Sequence, residues 1–143
     1  MANPPNDYWR WDQDGGVTAP DLTKSHTYAD HIVKARGKKS QMTSVSSEKA
    51  KISNFGPSLY GVLRSEIDKD KHFLVEHAQL IETLTQVAKN GKREEKVRAL
   101  QALRYAKLRV EGVIEWKFDI NGVERKDVIT WAFNNIQKYF KKQ

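Results

Sequence analysis

The chain has 143 residues, no cysteine, and 25 Lys and Arg against 18 Asp and Glu, for a formal net charge of +7. That length suits one domain with a real core, and the lack of cysteine excludes disulfides, thiolate metal sites and a cysteine nucleophile. No apolar run reaches the ~20 residues that span a bilayer, and "MANPPNDYWRWDQDGG" has neither the basic nor the apolar region of a signal peptide, so the expected location is intracellular or within a virion.

Residues 1–22 are expected to form an extended arm. Pro4 and Pro5 oppose a helix, and Asp14–Gly16 makes a flexible turn. Between them, Tyr8, Trp9 and Trp11 are large rings in a polar setting. Such rings anchor interfaces, which makes these three candidate subunit contacts. Residues 23–143 are expected to form the helical domain. Its first helix is placed at 24–36, capped by Thr23 or Ser25 and ended by Gly37. Residues 38–53, "KKSQMTSVSSEKAKIS", are rich in Ser and Lys and read as a linker or loop.

A second helix is expected to open at Asn54–Gly56, with Pro57 in its first turn and Leu59, Leu63 and Ile67 at four-residue spacing. The pattern over 72–89 is the clearest in the chain. Phe73, Leu80, Ile81, Leu84, Val87 and Ala88 fall on one arc, and His77 lies there as a hydrogen-bonded core histidine. A basic helix follows at 92–109. Ala99, Ala102, Leu103, Ala106 and Val110 form one apolar seam, while Val97 and Leu108 form a second. Two seams imply two packed neighbours, with the cations emerging beside them.

After Gly112 the period changes from helical to two. Ile114, Trp116, Phe118 and Ile120 alternate with charged residues, so 113–120 is expected to be a strand. A final helix carries Val128, Ala132, Ile136 and Phe140. The strand has no mate beside it in sequence, and its expected partner is the arm's "YWRWD", from the same chain or from a neighbouring copy, which adds Trp116 and Phe118 to the contact set. The expected fold is therefore mostly α: about five helices, one short strand or two-stranded element, and an extended arm.

Charge is segregated along the chain. Residues 34–51 hold six Lys and Arg against Glu48, and residues 89–109 hold eight against Glu94 and Glu95. Basic clusters of this kind suit a polyanion. The candidate nucleic-acid contacts are Arg93, Lys96, Arg98, Arg104, Lys107 and Arg109, with Lys34, Arg36, Lys38 and Lys39. No phosphate-loop, dinucleotide, zinc-protease or hydrolase motif is present. The four histidines pair at a spacing of five, wrong for two ligands on one helical face, so no metal, cofactor or catalytic residue is assigned. The expected function is a non-enzymatic, sequence-independent nucleic-acid-binding subunit of a larger assembly, coat-like or ribonucleoprotein-like. The alternatives are a regulator or inhibitor docking on an acidic protein surface, and a peripheral membrane-binding matrix-type protein.

Overall fold

The computed structural model describes residues 7–35 and 40–143. Among them, six strands form one antiparallel sheet: β1 (Tyr8–Asp12), β2 (Met42–Ser46), β3 (Ser58–Val62), β4 (Phe73–Val75), β5 (Glu111–Glu115) and β6 (Lys141–Lys142), in the order β4-β5-β2-β1-β3-β6. The helices are α1 (Tyr28–Asp30), which runs into a π-helical turn at His31–Ala35, then α2 (Arg64–Lys69), α3 (His77–Asn90), α4 (Arg93–Arg109) and α5 (Val128–Ile136).

Both faces of the sheet are covered, which explains why its central strands carry no single polar side. Successive residues of β5 enter different cores. Val113 joins Met42, Val75, Leu80, Leu84, Ala102 and Ala106 on one face. Ile114 joins Tyr8, Val45, Tyr60, Val62, Leu74 and Ile136 on the other. The β1 strand lies between β2 and β3. It pairs with β3 from Tyr8↔Val62 to Asp12↔Ser58 and meets β2 at Trp9↔Ser46.

This architecture corrects the mostly-α expectation. The described part of the stretch read as a linker holds a central strand, β2, followed by a 3₁₀ segment at Lys49–Phe55. It looks like a loop in sequence because its hydroxyls find internal partners. Thr43 accepts from Trp116 Nε1 at 2.8 Å, and Ser46 donates to the Arg109 carbonyl at 2.5 Å. The helix expected from residue 54 is β3 followed by the short α2. Ser58, Tyr60 and Val62 turn inward with period two, which overrides the four-residue spacing of Leu59, Leu63 and Ile67. The helix expected from 72 begins only at His77. Phe73 stands on edge strand β4 and is largely exposed.

The expected pairing of the arm with 113–120 is also corrected. The ladder of β5 ends at Glu115, and its neighbours are β2 and β4. Of the two places expected for the arm, its own subunit or a neighbour, it takes the first: it pairs with β2 and β3 in the middle of the chain's own sheet. The final helix is shorter than expected: Val128, Ala132 and Ile136 are buried along α5, which ends at Ile136, and Phe140 lies beyond it in extended backbone.

Candidate nucleic-acid interface

Helix α4 is held at both ends. The Lys92 backbone N–H donates to Glu95 Oε1 at 2.8 Å, and two carboxylates lie in the first turn, where the helix dipole favours them. Val110 closes the other end in a left-handed conformation with φ of 47°. Only the Ala99, Ala102, Leu103, Ala106 seam is buried, and it packs beside α3. Three small residues let α3 approach closely. The second expected seam has no neighbour in the fold, because Val97 and Leu108 are exposed.

The six expected cations of this helix divide into two groups. Arg98 forms an ion pair with Asp30 at 2.5 Å. Arg109 lies 3.7 Å from the buried Glu111 carboxylate and is clasped between the rings of Phe55 and Tyr105 at 4.8 and 4.9 Å. These two arginines tie α4 to the fold. Arg93, Lys96, Arg104 and Lys107 are exposed and make no ion pair among the described residues. They border one edge of the solvent face over fourteen residue steps, roughly 21 Å at 1.5 Å per residue. Of the second basic group, the Lys34 backbone lies in the π-helical turn. Arg36, Lys38 and Lys39 fall outside the described residues.

The aromatic candidates sit elsewhere. Tyr8 is buried in the sheet core. Trp9 lies under Lys49 Nζ, and Trp11 Nε1 donates to the Lys49 carbonyl at 3.0 Å. Trp116 is buried and stacks on Phe118 with ring centroids 5.5 Å apart. That pair belongs to a cluster with His72 and Tyr139. The Lys117 backbone N–H donates to His72 Nδ1 at 2.9 Å, so a neutral ring presents Nε2–H to the Tyr139 hydroxyl, which donates in turn to Asp70 at 2.7 Å. Burial lowers the His72 pKa. Burial raises that of Tyr139, and its bond to Asp70 adds to the shift. His77, expected as a core histidine, is half-buried and bonds the Glu111 carbonyl at 2.9 Å.

A second polar cluster lies inside the protein, where the sequence shows no motif. Ser40, His31, Ser44 and Glu111 are linked in that order by contacts of 2.7, 2.7 and 3.0 Å. The order is wrong for a hydrolytic triad, since a serine rather than the imidazole bridges to the carboxylate. Ser40 is 0% and Glu111 2% exposed, which denies a substrate access to either end. Burial lowers the pKa of His31 to about 3, with Arg10 adding to the shift, and pushes the Glu111 carboxyl up to about 7. Among the described residues, no group of three or more His, Asp or Glu is placed to hold a metal ion, and no helix is long and apolar enough to cross a membrane.

What the sequence reading missed on α4 is how much apolar surface lies beside the unpaired cations. Leu108 is 68% exposed, Leu100 60% and Val97 54%, with Phe55 adjoining through Arg109. The wheel contained the signal, since a second apolar seam is either packed or exposed. Comparison with protein-family models, curated proteins and solved structures finds no match to this chain.

Proposed function

We propose that this chain is a non-enzymatic subunit of a larger assembly, coat-like or ribonucleoprotein-like, that binds the phosphate backbone of nucleic acid without reading its sequence. The observation that carries the reading is the division of cations on α4. Arg98 is paired with Asp30 and Arg109 is held against Glu111 and two rings, while Arg93, Lys96, Arg104 and Lys107 face solvent without an ion pair among the described residues. Cations placed this way displace the condensed counterions of a phosphate chain, and the released ions drive binding. A track of roughly 21 Å matches about six nucleotides of one strand at 3.4 Å each. Base readout needs side chains aimed at base edges, and this reading assigns none.

The test is binding of single- and double-stranded DNA and RNA over a range of salt. Arg93→Ala with Arg104→Ala is expected to weaken binding to every sequence alike. The slope of log K against log[salt] should fall by about 0.7–0.9 per lost phosphate contact. Arg98→Ala serves as the contrast: it should leave that slope unchanged and lower thermal stability, because its partner is Asp30. Unchanged affinity in the double variant would overturn the reading.

A further inference from the structure

We propose that the apolar part of the α4 face is a docking groove for an amphipathic helix of a partner protein with acidic residues along one edge. The inference does not rest on the nucleic-acid reading. Leu100, Arg104 and Leu108 recur every four residues and form one ridge on the open face. Val97, Gln101 and Tyr105 form the next. Between the two ridges runs a shallow, open groove lined by Leu100, Gln101, Arg104 and Tyr105. Helices pack by seating a ridge of one in the groove between ridges of the other, and here the groove between Leu100 and Tyr105 faces solvent. Phosphate neutralisation makes no use of these walls, nor of the apolar tips of Val97 and Leu108.

Charge selects the occupant. Arg104 lines the groove itself, Arg93, Lys96 and Lys107 lie on its Leu100 side, and Glu94 and Glu95 are the only carboxylates of the helix. A second copy would set these cations against their own kind, with like-charge repulsion. A bilayer would receive the apolar tips but offers no ridge to fill the groove. A helix with apolar residues at i, i+3 or i+4, and i+7 fills it, and Asp or Glu beside that stripe reaches the unpaired cations.

The experiment is selection of a random 16-residue peptide display library on the full chain without nucleic acid, with counter-selection on Leu100→Ser/Leu108→Ser. Both leucines are exposed, so the variant is expected to melt as the parent does. Enriched peptides should share a helical apolar stripe flanked by Asp and Glu. The synthesised winner should gain helicity on binding. It should bind at least ~10-fold more weakly to Leu100→Ser/Leu108→Ser and to Arg104→Glu/Lys107→Glu. The proposal is overturned by peptides that bind the leucine variant equally well, by a consensus with no acidic preference, or by no enrichment. It is equally overturned if the same leucines are instead needed for flotation with phosphatidylserine vesicles, or for self-association in sedimentation.

Discussion

Glu111 and His31 have shifts of opposite sign and share one hydrogen-bond chain through Ser44. When Glu111 is ionised it accepts from Ser44. His31 Nε2–H then donates to Ser44, and Ser40 donates to Nδ1. When Glu111 is protonated the chain can run the other way: Glu111 donates to Ser44, Ser44 to Nε2, and Nδ1–H to Ser40. The Glu111 proton thus sets the His31 tautomer without charging the ring. Nitrogen-15 spectra of His31 are expected to show Nε2–H above the Glu111 pKa of about 7 and Nδ1–H below it, and a tautomer constant across that pH would refute the relay. Stability follows from the same values. Folding raises the Glu111 pKa from 4.5 to about 7, so its contribution is greatest below 4.5 and is lost as pH rises through 7. His31 is lowered from 6.5 to about 3, so its contribution is present above 6.5 and is lost as pH falls. Between pH 4.5 and 6.5 the two slopes oppose each other. In Glu111→Gln only the His31 slope remains. Denaturant titrations should therefore show the variant losing stability faster than the parent on acidification, by ~1.4 kcal/mol per pH unit. At Gly56 the constraint is steric. A Cβ there would lie 2.6 Å from the Asp12 carbonyl oxygen. The Asp12 carboxylate is itself held by Arg10 at 2.7 Å and by the backbone N–H and hydroxyl of Thr18 at 2.8 and 2.7 Å. Gly56→Ala is expected to cost about 1–3 kcal/mol, read as a fall in melting temperature.

Among the elements, those legible in the sequence were the ones long enough to show a period. Helices α3 and α4 repeat their pattern over several turns, and α5 shows its four-residue spacing clearly. The strands are two to five residues long, and over such spans alternation cannot be told from helical spacing. Strand β2 was the least legible. Its Ser and Thr side chains would mark a loop if solvated, but here they bond Glu111, His31, Trp116 and a helix-end carbonyl, all distant in sequence. The candidate site was legible in composition but only partly in geometry. The wheel put the cations of α4 beside its seams. It could not show that Asp30 and Glu111 would engage Arg98 and Arg109, because those carboxylates are brought in by other elements.

On the scale of the whole molecule, the two cores meet across a sheet whose first strand lies between two later ones. β1 is antiparallel to both β2 and β3, so those two run parallel to each other and the chain crosses from one to the other through residues 47–57. Remove β1 and both lose their shared neighbour at once, leaving five positions of β3 and Ser46 of β2 without their partners. The turn that follows β1 is open at Gly15, where an added Cβ would meet nothing within 4 Å. The protein should therefore work as two pieces. A fragment of residues 16–143 is expected to lose its cooperative melt, and a separate peptide of residues 7–15 to restore it, with a melting temperature that climbs with peptide concentration. A fragment that melts like the intact chain would show that the strand is dispensable. If the two pieces do reassemble, the place of β1 offers a way to make folding of this protein conditional on an added peptide.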